Sequence, residues 1–298
     1  MSIQNTLYLV ATPIGHRDDL SARAVEVLRG ASVIFAEDTR HSAALLRGHG
    51  VRAPLEALHE HNEAERATRI AARLAERGAG DAALVSDAGT PLVSDPGYRL
   101  VRACIEAGVR VSTVPGPCAL VAALSVSGLP TDRFEFVGFP PAKGAARREW
   151  LGALAGRAHT LVLYESPHRI EASLADLVGA FGADRPVALA RELTKRFETV
   201  LRGRAAEVLE RVRGDPDQRR GELVVVIGGA PAPRDGAADA AGLDRLARAL
   251  SPHLPPKTVA KVAAELLGAN RREAYARVVA LAGGSGGEAG DGGGVGSG

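Results

Sequence analysis

Two α/β domains with mostly parallel or mixed sheets, followed by a small helical extension, form the fold class that the sequence predicts. Three observations carry that expectation. Short apolar, β-branched runs alternate with helical patterns from Leu7 onward, the rhythm of strand–helix–strand units. The rhythm changes after Pro130 and then resumes until Ile227. Beyond the linker-like stretch Pro231–Gly236 every periodic segment has helical spacing. The chain has 298 residues, which suits two domains of roughly 100–200 residues each. The expected domains are residues 1–130 and 131–230, with the helical extension at 243–282 and a disordered Gly-rich tail at 283–298.

In the first half, Leu7–Ala11 reads as a strand and Ser21–Arg29 as a helix. Ser32–Ala36 is the second strand, followed by a helix over Arg40–Gly48. Ala64–Arg77 has apolar residues spaced three and four apart and predicts a helix. Ala82–Ser86 is a buried strand, Tyr98–Ala107 a helix closed by Gly108, Val109–Val114 a strand, and Cys118–Gly128 a helix. The second half places strands at Phe134–Phe139, Thr160–Tyr164, Val187–Glu192 and Leu223–Ile227. Its helices are Lys143–Leu154, Ile170–Gly179 and Ala205–Arg213. Leu243–His253, Thr258–Leu267 and Arg271–Ala282 are amphipathic helices. The tail Gly283–Gly298 has ten glycines and too little apolar surface to order itself.

Composition narrows the class. Hydrophobic residues are 46% and charged residues 24%, ordinary for a soluble globular chain. No apolar run approaches the ~20 residues that span a bilayer. The N-terminal apolar run lacks a basic segment ahead of it and reads as a strand, not a secretory leader. Two cysteines, Cys104 and Cys118, make no disulfide framework and no zinc pattern, so a reducing cytoplasm is the expected home. A net charge of +2 neither demands nor excludes nucleic acid.

The polar motifs sit at predicted strand ends, where open α/β sheets bind ligands. Ser86–Gly97, SDAGTPLVSDPG, is twelve residues long where a strand–helix connection is usually about 2–6. Within it Asp95 reads as a helix cap before Pro96, and Ala88–Val93 as the ligand-facing part. Thr12–Gly15 is either a plain turn or a close backbone approach to a ligand. Pro115–Cys118 is a rigid turn into a helix, with Cys118 a packing residue lacking any neighbouring base. Glu37–Arg40 and His59–Asn62 each read as a substrate-facing surface or as a helix cap. His59 and His61 lack the carboxylate or thiol partners that would complete a metal site. Tyr164–Arg169 and Arg191–Lys195 place carboxylates beside basic groups, either as site residues or as structural ion pairs. The dinucleotide fingerprint GxGxxG is absent, which disfavours a nicotinamide oxidoreductase.

In their order, TPIG, AEDTRH, HEHNE, LVSDAGTPLVSDPGYRLV, VPGPCAL, SGLPTDRFEFVGFPP, YESPHR, ARELTKRFE and RGELVVV resemble the tetrapyrrole methylase superfamily. More narrowly they resemble its 16S ribosomal RNA (cytidine-2′-O)-methyltransferase branch. The likeness covers roughly Leu7–Gly228, and the helical end resembles that branch's helix-turn-helix-like, RNA-binding extension. It implies a homodimer that binds S-adenosyl-L-methionine in the cleft between two α/β domains. The RNA target implied is a cytidine of the decoding region, on 16S ribosomal RNA or the small subunit. Matched by motif, the cofactor positions are Pro13, Ile14, Gly15, Ala88, Gly89, Thr90, Val93, Cys118, Ala119, Tyr164, Glu165, Leu193, Gly221 and Glu222. Two positions depart from the branch: His16 replaces the usual Asn, and Cys118 the usual Ser.

Transfer from a sulfonium needs alignment of the ribose hydroxyl and removal of its proton. Candidate catalytic groups are Glu37, Asp38, His61 and Lys195, the lysine only if burial lowers its pKa. Arg40, Arg169, Arg196, Arg271 and Arg272 are the expected RNA contacts. Aromatics are only 4%, so shape and charge are expected to outweigh stacking. Two alternatives stand beside this reading. One is a C-methyltransferase of a tetrapyrrole precursor. The other is a non-catalytic RNA-binding ribosome-assembly factor.

Overall fold

A computed structural model describes residues 5–231 and 240–283. The expected tail beyond Gly283, and the linker beyond Pro231, lie outside the described residues. The chain divides into two compact units at Ala230 and Pro231.

The first sheet is wholly parallel. Its strands β1 (Thr6–Val10), β2 (Val33–Ala36), β3 (Leu55–Ala57), β4 (Ala82–Val85) and β5 (Arg110–Val114) lie in the order β3-β2-β4-β1-β5. Leu9 of β1 stands level with Leu84 on one side and Thr113 on the other. The connecting helices are α1 (Ala22–Gly30), α2 (Thr39–Gly48), α3 (Glu60–Ala75) and α4 (Tyr98–Glu106). From β1 to β3 the chain steps toward one edge; from β3 to β5 it steps back. Right-handed crossovers therefore put α1 and α2 on one face and α3 and α4 on the other. Strand alternation matches this arrangement. Ile34, Ala36, Ala83 and Val85 pack with Leu20, Ala24, Leu28 and Leu46. Val33, Phe35, Ala82 and Leu84 pack with Ile70, Leu74, Leu100 and Cys104. Burial on both faces is why β2 and β4 are continuous apolar runs.

The second sheet is mixed. Strands β6 (Phe134–Phe136), β7 (Thr160–Glu165), β8 (Pro186–Arg191), β9 (Thr199–Arg204) and β10 (Leu223–Ile227) lie in the order β6-β7-β10-β8-β9. β6 and β7 are parallel, and the other pairs antiparallel. α6 (Gly144–Leu154), α7 (Ile170–Phe181) and α8 (Ala205–Gly214) cover one face. α5 (Ala119–Ser127) covers the other, through Leu120, Ala123 and Leu124 against Val162, Ala188, Ala190, Val224 and Val226. Sequence order assigns α5 to the first half, yet its packing partners belong to the second sheet.

Helices α9 (Ala240–Leu250), α10 (Pro256–Leu267) and α11 (Arg271–Gly283) form the second unit. Leu243, Ala247, Val259, Ala260, Ala263, Ala269, Ala274 and Val278 are buried there among the described residues. Arg277 of α11 grips Asp244 of α9 through two bonds of 2.7 Å.

Several expectations need correction. β3 and β9 lie where the sequence pattern predicts no strand. Both are edge strands with few β-branched residues, so neither shows a buried-strand pattern. β6 ends at Phe136, not Phe139, because Gly138 takes φ 71° and turns the chain. α3 starts at Glu60, four residues before the expected Ala64, because His59 and Asn62 form its cap; the His59 N–H donates to Asn62 Oδ1 at 3.0 Å.

The expected cap on the next helix is also different. Asp95 does not cap α4, whose first residue follows Gly97. Instead buried Glu63 of α3 accepts the Arg99 and Leu100 N–H groups at 2.7 and 3.1 Å. A cap supplied from another helix leaves Asp95 for a different task.

Glu63→Ala removes that acceptor from two N–H groups, and the Leu100 bond is buried. It is expected to destabilise the protein by about 1–2 kcal/mol in urea unfolding followed by circular dichroism. Glu63→Gln, which keeps an acceptor oxygen, should recover most of the loss.

Candidate functional site

Neighbouring strands β1 and β4 send their chains to opposite faces of the sheet, which opens a gap beyond their carboxyl ends. The loops around this gap are tied together. Thr12 and Gly89 exchange backbone hydrogen bonds of 2.9 and 3.0 Å. The Thr90 hydroxyl donates to the Pro117 carbonyl at 2.9 Å. The second sheet meets the gap with the ends of β7, β8 and β10. A cavity of about 490 Å³ lies there, within the ~300–1,000 Å³ usual for small-molecule sites.

Of the motif-matched cofactor positions, all but Pro13 and Gly15 line this cavity. Gly15 acts from behind it. A Cβ at Gly15 would stand 2.5 Å from Lys195 Cγ and 2.8 Å from the Leu193 carbonyl oxygen, so only glycine lets the first loop meet the Arg191–Lys195 segment. The next residue bonds across the same contact, the His16 N–H donating to Thr194 Oγ1 at 3.0 Å. The His16 ring caps its own turn by accepting from Asp18 N, a bond an Asn would also make.

The cavity has two kinds of wall. Ile14, Ala119, Leu193 and Val224 are apolar. Glu37, Asp87 and Asp95 are acidic. Burial, then Asp95, Asp87 and Glu60, raise the Glu37 pKa above its ordinary value. Burial and the Asp87 charge raise Asp95 too, against the opposing pull of a hydrogen bond with Ser86.

Backbone strain collects at the same place. Among the described residues, the non-glycine positions with positive φ are Leu92, Ser94, Glu192 and Thr194, at 72°, 65°, 52° and 63°. They bracket Val93 and Leu193, both of which line the cavity. Such strain persists only where the surroundings impose it.

The expected catalytic residues separate. Glu37 lines the cavity. Asp38 caps α2, accepting from Arg40 N at 2.8 Å and His41 N at 3.3 Å. His61 is exposed on α3, its ring 6.0 Å from that of His59. Lys195 bonds to Glu192 at 2.9 Å and Glu222 at 3.0 Å. Burial alone would lower its pKa, but the two carboxylates outweigh it and hold the pKa above the ordinary value. The condition for Lys195 as a base is not met.

Among the expected RNA contacts, Arg40, Arg196, Arg271 and Arg272 are exposed. Arg196 lies over the Phe197 ring at 5.4 Å, and Arg271 is 3.5 Å from Glu265. Arg169 pairs with fully buried Glu165 at 2.7 Å. Glu165 also accepts from Ser166 N and from the Ser173 hydroxyl.

Sequence reasoning missed Asp87, Asp95, Phe139, Ser166 and Ala190 in the cavity wall. Asp87 lay inside the long loop already singled out. Phe139 lay in a run read as plain strand.

The family described as tetrapyrrole (corrin/porphyrin) methylases matches residues 6–209. The RsmI C-terminal HTH domain matches residues 237–282. A ribosomal RNA small subunit methyltransferase I from Xylella fastidiosa (strain Temecula1) is 53% identical over 92% of this chain and 99% of its own. Its counterpart from Escherichia coli O157:H7 is 48% identical over 91% of this chain and 94% of its own. Among solved structures, a uroporphyrin-III-C-methyltransferase from Thermus thermophilus superposes with a TM-score of 0.52 at 25% identity, over 76% of this chain and 96% of that one. A cobalt precorrin-4 methyltransferase gives a TM-score of 0.54 at 19% identity, over 75% and 94%, a likeness of fold. No helix among the described residues is long and apolar enough to cross a membrane.

The raised Asp95 pKa has a consequence for stability. Folding disfavours the ionised form, so the penalty is absent below the unfolded value of 3.8 and fully present above the folded pKa. Asp95→Asn should therefore raise the melting temperature at pH 7 by a few degrees. The gain should shrink as pH falls toward 3.8 in calorimetric scans.

Proposed function

Because the chain belongs to the tetrapyrrole methylases, and within them to the ribosomal RNA small subunit methyltransferase I family, we propose that it methylates the 2′-hydroxyl of a cytidine in 16S ribosomal RNA, with S-adenosyl-L-methionine as donor. The observation that carries this reading is the largely apolar cavity with carboxylates in its wall at the gap between β1 and β4. When bound, the cofactor supplies a methyl group on a cationic sulfur that keeps the bonding electron pair as it leaves. The residues fit such a molecule. Ile14, Ala119, Leu193 and Val224 offer apolar surface to an adenosine. Glu37, Asp87 and Asp95 set a negative field for a sulfonium and an ammonium.

The chain's own tasks are alignment and proton removal. Among the four candidates, Glu37 lines the cavity, while Asp38 is occupied as a cap and Lys195 is held as a cation. A raised pKa brings Glu37 nearer to working pH, which strengthens a general base. The proton of the attacking hydroxyl passes to a Glu37 carboxylate oxygen. Lys195, between Glu192 and Glu222, fixes the segment that carries Leu193.

Arg40, Arg196, Arg271 and Arg272 offer charge to phosphates, and Arg169 its donors not engaged by Glu165. Phosphate contacts position an RNA without reading its sequence. The same reading includes a homodimer, RNA binding and a cytoplasmic location, where small ribosomal subunits are available. Identity near one half over nine-tenths of the chain favours it over tetrapyrrole methylation, for which the support is likeness of fold.

Small subunits from a strain lacking this methylation, incubated with the protein and labelled donor, are expected to yield 2′-O-methylcytidine in nucleoside mass spectrometry. Absence of that nucleoside would overturn the RNA reading, and label on a tetrapyrrole would replace it. Glu37→Gln is expected to lower kcat about 10²–10⁴-fold. The base works deprotonated, so the wild-type rate should fall as pH drops through the raised Glu37 pKa, and the variant should lose that acid limb. A variant with wild-type kcat removes Glu37 as the base.

A further inference from the structure

We propose that Phe139 is a stacking platform for an unstacked base of the RNA substrate, an inference that rests on the methyltransferase reading above. The sequence holds six Phe, four Tyr and one Trp. Among the described residues Tyr98, Phe134, Phe139, Phe197 and Tyr275 are exposed, and of these Phe139, 54% exposed, lines the cavity.

Its position is built, not accidental. Gly138 at φ 71° turns the chain out of β6, and the Gly138 carbonyl accepts the Tyr164 N–H at 3.0 Å. On the other side Pro140 is buried, and its carbonyl accepts from Arg169 at 3.4 Å. The backbone is thus pinned on both sides of the ring. The ring itself meets Tyr164 edge-to-face, with centroids 5.5 Å apart and planes at 63°. Tyr164 is held in turn by Phe136 at 4.9 Å and by a hydrogen bond with the Leu120 backbone. Burial pushes the Tyr164 phenol up to about 12, so this support stays neutral. The result is a pinned aromatic ring with much of its surface open at the cavity.

Chemistry selects the occupant. Methylation at a 2′-hydroxyl inside a closed site needs a nucleotide drawn away from its neighbours, and a splayed base loses its stacking partners. An aromatic ring restores that contact for any base, because every base has a π-face. The adenine of the cofactor is the competing occupant. It fits Phe139 less well, because the apolar surface suited to a largely enclosed adenosine is that of Ile14, Ala119, Leu193 and Val224. Ile14 and Leu193 are 7% and 8% exposed.

The test uses the full-length protein, with methylation of small subunits for RNA kinetics and calorimetry for donor affinity. Phe139→Ala is expected to raise KM for subunits by roughly 5- to 150-fold, the range for one lost base–aromatic stack. Donor affinity and melting temperature should stay at wild-type values, since the ring is half exposed. Phe139→Trp should restore KM. The proposal is overturned if Phe139→Ala leaves KM for subunits unchanged, or if donor affinity falls by a comparable factor. Should the wild-type protein fail to methylate subunits at all, the RNA reading itself falls, an outcome distinct from either.

Discussion

A parallel sheet whose adjacent strands send their chains to opposite faces must leave a gap at the strands' carboxyl ends, and the rest of this structure follows from that gap. Here the strands are β1 and β4. The backbone groups of their loops are not satisfied by regular sheet pairing beyond Val10 and Val85. Thr12 and Gly89 satisfy one another across the gap, and Thr90 reaches the turn before α5. α5 then packs on the second sheet, so the turn at Pro115–Pro117 hands the chain from one core to the other. The second sheet has no independent reason to sit at the gap. It is brought there by α5 and by the contact between Gly15 and the Leu193–Lys195 segment.

Polar residues around the gap divide between holding the loops and facing the cavity. Asp38, His59 and Asn62 are spent on helix starts, and Glu63 on the start of α4. Glu192 accepts from Lys195 and from the Glu222 N–H, which ties β8 to β10 at their site ends. These assignments leave Glu37 and Asp95 with raised pKa values inside the cavity. Repulsion among nearby carboxylates is unfavourable for the protein alone. A cation placed among them is attracted by each and offsets that repulsion, which suits the proposed positively charged donor.

Periodicity made most of the fold legible. Where strands are buried on both faces, as at Ala82–Val85 and Leu223–Ile227, the apolar run itself is the signal. Edge strands lack that signal, which is why Leu55–Ala57 and Thr199–Arg204 were not visible. The cavity wall was legible where it follows local spacing: the length of Ser86–Gly97 singled out the loop that lines the cavity. Contacts between distant segments were not. Nothing local in SDPG says that a glutamate 36 residues away caps α4. Asp95 looked like a cap because Pro96 follows it, and only the tertiary placement of Glu63 releases it to the cavity.

Phe139 also owes its place to a contact that local pattern does not reveal. A strand pattern through Phe134–Phe139 makes its ring one more alternating apolar side chain. Gly138 breaks the alternation, and a glycine inside a strand run is a recognised sign of a bend or a close approach. Once the chain turns, the ring no longer belongs to the sheet's interior. It is held by Tyr164, a residue of the neighbouring strand whose own phenol is buried. An aromatic residue taken out of the core at a ligand cavity gives up apolar burial that the fold would otherwise gain. Sparse aromatic content therefore does not exclude stacking. It directs attention to where the few exposed rings stand, and one of them, Phe139, stands at the cavity.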